Sequence, residues 1–256
     1  MALRNGLLVH GPTHWAAAVR TDDGELKVAS GPKPNLGGKA AERLPGIRGV
    51  VKLAEAMAVI PLVKRALPQV RLPFQDANVV AVALGAATAG TLLRRRTRGV
   101  AGEAAAAGIS LAPALLALRG GETAAYHGVE HKAIAAYEQG DDDAADAAKE
   151  HDRCGSNLVA PLLVANVAGA TLLRKVVERP GPLANAAVAV GSMAAAVEVF
   201  AWSERHASTR LAKALRRPGF ELQRHMGTRE PDERQLEVGR AALAEIIRVE
   251  TAATGA

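Results

Sequence analysis

His127 and His131 stand four residues apart, with Glu130 between them, in the run Tyr126-His-Gly-Val-Glu-His-Lys132. On a helix that spacing projects both imidazoles from one face, one turn above the other, with Glu130 beside them. Two neutral imidazoles and a carboxylate suit a first-row divalent metal, zinc being the commonest. The order H-x-x-E-H is that of the inverted zinc-protease motif, in which the histidines bind metal and the glutamate activates water. Further along, His151-Asp-Arg-Cys154-Gly-Ser156 adds a third histidine and the only cysteine of the chain. Three of the seven histidines and that cysteine fall within residues 127–154, which weighs against an ordinary helix that happens to carry two histidines.

The candidate ligands are therefore His127 and His131, completed by His151, Cys154 or Glu198. Glu198 qualifies because a carboxylate in the middle of an apolar helix is expensive and usually functional, although a buried ion pair with an arginine would explain it equally well. Cys154 could ligate as thiolate, act as a nucleophile beside His151, or simply be packed. With the metal held, Glu130 is the candidate base, and Lys132 or Arg153 could steady a developing oxyanion. His10 and His14 share the four-residue spacing, but Gly11-Pro12 between them forbids a helix, so they are not expected to be ligands.

The elements that would position these residues follow from composition and pattern. The chain has 256 residues, 49% apolar but only 3% aromatic, with a net charge of +6 and a pI near 9.8. The basic run Arg94–Arg98 follows an apolar stretch directly, which suits the flank of a membrane helix. Without aromatic interleaving there is no base-stacking surface, so no nucleic-acid partner is expected. A single cysteine excludes an intrachain disulfide and fits a reducing compartment, and residues 1–20 hold no sustained apolar core of a cleaved signal peptide.

Four Ala- and Gly-rich stretches, Ala77–Leu93, Val100–Leu118, Asn157–Leu173 and Leu183–Trp202, approach the length that crosses a bilayer. Helices apolar all round must be hidden from water, and small residues let them pack closely in lipid. The second and fourth carry Glu103 and Glu198. Arg94–Arg98, Arg174-Lys175 and the basic tail after Trp202 cannot share one side if all four stretches span.

Around this bundle the sequence predicts an N-terminal β-hairpin. Its strands are Trp15–Arg20 and Glu25–Ala29, its turn is Thr21–Gly24, and Ala16, Ala18, Leu26 and Val28 form the buried face. A Pro/Gly linker follows over residues 30–45. Ile47–Leu67 reads as a helix that Pro61 should kink or end. Pro231-Asp232-Glu233 starts a C-terminal amphipathic helix with the stripe Leu236, Leu243, Ile246, Ile247. Asp141–Asp143 lacks the spacing of a calcium loop and reads as solvated.

The expected fold is thus mainly α: a bundle of Ala-rich transmembrane helices with a small N-terminal hairpin and a C-terminal amphipathic helix. The expected parts are 1–45 (hairpin and linker), 46–202 (membrane-embedded helices with the motif at 126–156) and 203–256 (polar tail).

These motifs together resemble the YqhQ-like family of bacterial membrane proteins, a domain-of-unknown-function family described only as predicted metal-dependent enzymes. The family's Y-H-G-x-E-H-K and H-P-R-C-G-[ST] runs are similar to residues 126–132 and 151–156. Its P-x-I-R-G resembles Pro45-Gly-Ile-Arg-Gly49, and its C-terminal run resembles Leu222-Gln223 and Gly227–Asp232. Its membrane-embedded glutamate aligns with Glu198. The chain departs from the family at Asn5, where the family has glutamate, and at Asp152, where it has proline, and so is divergent at its N-terminus. The resemblance implies a metal-dependent enzyme in the cytoplasmic membrane and supplies no substrate. Two functions are carried forward: a metal-dependent membrane hydrolase, and a non-catalytic membrane scaffold or regulator whose cluster is a structural or sensory metal site. A soluble Ala-rich helical enzyme is a weaker third.

Overall fold

The computed structural model describes residues 1–38, 44, 46–97, 99–119, 121–140 and 145–255. Pro45, Arg98 and Asp141–Asp143, singled out above, lie outside the described residues. The chain is mainly helical, with one small antiparallel sheet.

Strands β1 (Gly6–His10), β2 (His14–Arg20) and β3 (Leu26–Pro32) form a meander in the order β1-β2-β3. Leu8 pairs with Ala17, and Ala17 with Ala29. The β2–β3 turn is where the sequence puts it, and Gly24 takes the positive φ of 88° that the turn needs. β1 was not foreseen: the Gly11-Pro12 that excluded a helix is the turn joining β1 to β2. A predicted one-sided β2 is also corrected, because residues 15–19 are all buried. The reason is that the sheet is covered on both faces. Leu8, Trp15, Ala17 and Val19 pack against Val59, Ile60 and Val63 of helix α1 (Ile47–Ala66). Leu7 and Ala18 pack against Tyr126 and Val129 of helix α5 (Glu122–Gln139) and Val238 and Ala242 of the C-terminal helix. With small residues on β2, both layers come close.

Helix α1 runs through Pro61 rather than ending at it, since burying Val59, Ile60 and Val63 outweighs the one lost backbone bond. The apolar helices follow: α2 (Ala77–Arg96), α3 (Val100–Ile109), α4 (Ala112–Arg119), then, beyond α5, α6 (Val159–Val176) and α7 (Pro182–Arg205). The second apolar stretch is therefore broken, at Ser110-Leu111, into α3 and α4. Four spans, 77–96, 100–119, 155–176 and 182–205, are long and apolar enough to cross a membrane. Only 11–22% of their apolar windows is buried within the chain. Helix α8 (Arg210–Leu222) begins at Thr209, whose hydroxyl accepts from Ala212 N–H. It runs into a wider π turn at Gln223–Gly227.

Helix α9 (Glu233–Thr254) is closed at its start by a capping box. Asp232 accepts from Gln235 N–H, and the Gln235 side chain accepts from Asp232 N–H. Of the predicted stripe, Leu236 and Ile246 are buried and Ile247 is 40% exposed.

Candidate metal centre

Three main-chain segments build the centre. The first is α5, bounded by Gly121 (φ 74°) and Gly140 (φ 67°), the latter a left-handed C-terminal cap. It presents His127 and His131 from one face, with ring centroids 4.4 Å apart. The second is the turn at 151–158, where Cys154 caps a short 3-10 helix and its Sγ accepts from Ser156 N–H at 3.4 Å. The third is the π turn Gln223–Gly227 and the strand-like segment after it.

Gly128 explains how the third segment reaches the histidines. A Cβ there would lie 2.4 Å from the carbonyl oxygen of Arg229, and Arg229 N–H donates to Ala124 O at 2.9 Å. The glycine inside H-G-x-E-H thus serves close approach, not chemistry. It lets residues 227–231 lie along α5, so that the Gly227 carbonyl sits 2.7 Å from His127 Nδ1. On the other side, the Lys149 carbonyl sits 2.6 Å from His131 Nδ1. With each Nδ1–H donating to a main-chain carbonyl, both rings are oriented and both Nε2 atoms are left as lone-pair donors.

Cys154 Sγ lies 3.3 Å from His127 Nε2, and one ligand atom each from His127, His131 and Cys154 lie within 4.8 Å of one another. Two ligands of one tetrahedral zinc, with its N and S bond lengths, stand roughly 3.2–3.6 Å apart, so the His127–Cys154 pair already stands at that separation. His131 and Cys154 are 2% and 8% exposed. Burial raises the Cys154 thiol, but the His127 and His131 imidazoles outweigh it and bring the pKa from 9.0 down to about 5. Burial likewise depresses His127, and the neighbouring thiolate outweighs that and raises it. The cluster is therefore a thiolate among imidazoles, the form a soft divalent metal takes up.

Glu130 is 23% exposed and its Oε1 meets the Met1 ammonium at 2.7 Å. Burial opposes its ionisation, but that ammonium and the two imidazoles together hold its carboxyl below the usual value. The other candidates are placed differently. The His151 ring is 5.9 Å from that of His131, but its Nε2 faces Glu138 at 3.5 Å and its Nδ1 accepts from Arg153 N–H. Arg153 is exposed and pairs with Glu138 at 2.8 Å. Lys132 is buried, and its Nζ donates to the carbonyls of Ala145 and Ala147 and meets Glu230, each at 2.7 Å. Glu198 is held by Arg48, at 3.0 and 2.6 Å, and by Gly46 N–H at 2.9 Å. That pairing joins the P-x-I-R-G segment to the apolar helix. Asn5, at the divergent position, bridges Arg20 O, Gln69 O and Arg71 N–H and so ties β1 to the chain after α1.

Gln223 was not singled out for chemistry. It is fully buried, its Oε1 accepts from His151 N–H at 2.9 Å, and its Nε2 donates to Ser156 Oγ at 2.8 Å, so it staples the cysteine turn at both ends. Only the Leu222-Gln223 likeness pointed there, because hydrogen bonds between residues 72 and 67 positions apart leave no periodic trace.

The family described as "Protein of unknown function (DUF1385)" matches residues 122–249, half of the chain. The chain belongs to that family. The DUF1385 segment begins at the first residue of α5 and ends within α9, and so holds all three segments of the centre but none of the sheet. No curated protein and no solved structure matches the chain.

Proposed function

We propose that this DUF1385 protein is a metal-dependent hydrolase, embedded in the cytoplasmic membrane by several helices, with zinc held by His127, His131 and Cys154. The observation that carries the metal is the pair of anchored rings: two Nδ1 atoms committed to main-chain carbonyls, with the remaining donors gathered around one thiolate. The described residues offer three protein ligands, which would leave a fourth position for water, the pattern of catalytic rather than structural zinc. A zinc ion so bound supplies Lewis acidity and lowers the pKa of water toward neutrality.

The chain's own contributions follow from its contacts. Glu130, ionised at neutral pH and close enough to feel both imidazoles, takes a proton from water on a carboxylate oxygen. Lys132 is a positioning residue, since its ammonium is spent on the loop at 145–147. Arg153 and His151, joined through Glu138, line a neighbouring surface cavity together with Glu204.

The test is metal content by mass spectrometry of the purified protein. The wild type is expected to carry about one zinc per chain, and His127→Ala or Cys154→Ser almost none, with helical content unchanged. Equal metal in all three overturns the proposal. The burial of His131 and Cys154 favours a second reading, a structural or sensory metal site. X-ray absorption decides between the two: a light-atom solvent ligand supports the hydrolase, and a fourth protein ligand supports the structural site.

A further inference from the structure

The far end of the helical bundle carries a basic cavity whose charge the described residues balance only in part. Helices α2 and α6 finish there, α3 starts there, and the short α6–α7 connection closes it. Buried Glu103 of α3 ties the end together: its Oε2 accepts from Arg94 Nε at 2.9 Å, and its Oε1 lies 2.6 Å from Arg174 Nε. Arg174 Nη1 also donates to Arg94 O at 3.1 Å. Above this clamp opens a cavity of about 840 Å³, walled by Arg94, Arg95, Arg174, Arg179, Glu178 and Asn185 among others. Four guanidinium groups thus face one lining carboxylate. Arg95 and Arg179 are exposed, and no described residue pairs with them. The wall that bears Arg179 is held in shape by Asn185, whose side-chain amide donates to Pro180 O and Gly181 O at 3.1 and 3.0 Å.

A positive flank alone would splay its arginines into water. Here three separate elements turn them toward one concavity, at the level where the apolar helices end. That level is where phosphates lie if the helices span a bilayer. Guanidinium groups bind phosphate through paired, planar hydrogen bonds, and a cavity of this size admits a glycerophosphate headgroup while its acyl chains lie along the exposed apolar sides of α2 and α6.

We propose that this cavity binds the headgroup of an anionic phospholipid, held by Arg95 and Arg179 over the Arg94–Glu103–Arg174 clamp. The proposal rests on the membrane reading above and is independent of the metal.

The experiment uses the full chain purified in detergent and placed in phosphatidylcholine nanodiscs with or without phosphatidylglycerol. Native mass spectrometry counts retained lipid, and thermal unfolding reads stability. Wild type is expected to retain phosphatidylglycerol and to be stabilised by it. Arg95→Gln/Arg179→Gln is expected to bind it roughly tenfold or more weakly, with unfolding in pure phosphatidylcholine unchanged. Arg210→Gln/Lys213→Gln, which removes the same charge elsewhere, is expected to behave as wild type. Equal retention by all three proteins overturns the proposal. So does stabilisation of the detergent-solubilised protein by glycerol 3-phosphate as strong as that by the lipid, which would make the ligand a soluble phosphate. A protein that stays in the high-speed supernatant without detergent overturns the membrane reading and this proposal with it, whereas a membrane-bound protein with equal retention overturns the lipid site alone.

Discussion

The sheet end and the apolar bundle solve the same problem, a buried charge, with different materials. At the sheet end, Lys132 is sunk in α5 and satisfied by two loop carbonyls and Glu230, so its charge fixes the loop that delivers the Lys149 carbonyl to His131. In the bundle, Glu103 is sunk between helices and satisfied by two arginines from neighbouring helix ends. One charge holds an irregular segment against a helix; the other holds three helices at a common end. The surroundings differ to match. The sheet is closed on both faces by apolar residues, while the bundle leaves most of its apolar surface outward, as helices packed in lipid do.

Removing Glu103 tests that contrast most severely. Glu103→Gln leaves two cations facing each other over a neutral amide, and breaking a buried ion cluster from one side costs about 3 kcal/mol or more. Thermal unfolding in detergent is expected to show that loss with the metal content intact. A loss under about 1 kcal/mol would mean that the clamp behaves as a solvated surface pair.

Lys132→Met comes next. It leaves two carbonyls and Glu230 without their donor, at a cost of about 2 kcal/mol. It also frees the segment that aligns His131, so zinc affinity is expected to fall ten- to a hundredfold, as it does when an outer partner of a ligand is lost. Competition with a chromophoric chelator measures this. Unchanged affinity would show that Lys132 holds the fold and not the centre.

These two residues also mark how far the sequence could be read. The four apolar stretches, the helix carrying the histidines and the capped start of α9 were legible because each is a local pattern: length and composition, a four-residue spacing, and a Pro-Asp-Glu start. The His127–His131–Cys154 grouping was half legible, since spacing named the first two and proximity in sequence offered both His151 and Cys154. Which of those turns inward depends on Gln223 and Ser156, bonded across 67 positions. The role of Lys132 was not legible at all. A lysine beside two histidines suggests an oxyanion partner, and only the fold shows its ammonium pointing to the 145–147 loop. β1 was missed because its apolar residues, Leu7 and Leu8, face opposite layers, which erases the alternation that marks a half-buried strand.

The pH response of the metal-free protein is expected to be smaller and confined to the sheet end. The Cys154 thiol is depressed to about 5 from 9.0, so the stability that its thiolate contributes is complete above the ordinary value and is lost as pH falls toward 5. His127 is raised above 6.5, so its contribution is complete below that value and fades as pH rises through the raised one. The stability gap between wild type and Cys154→Ala therefore closes as pH falls toward 5. Thiolate absorbance is expected to titrate over the same range. A midpoint above 8 would show that the imidazoles do not engage the sulfur.

The smallest effect belongs to Glu198, and it decides the most. Both Glu103 and Glu198 sit in apolar helices, but Glu198 and its partner Arg48 keep side-chain exposures of 29% and 32%, against 4% for Glu103. An ion pair this exposed at the chain's surface is worth about 1 kcal/mol or less, so Glu198→Gln is expected to cost no more than that. Its carboxylate is occupied by Arg48 and by the Gly46 amide, so the variant is expected to keep its full zinc content. Retained metal with a small loss of stability makes Glu198 a fastener between the start of α1 and α7. Loss of metal would instead return it to the ligand set and require α7 to approach the centre more closely than it does here.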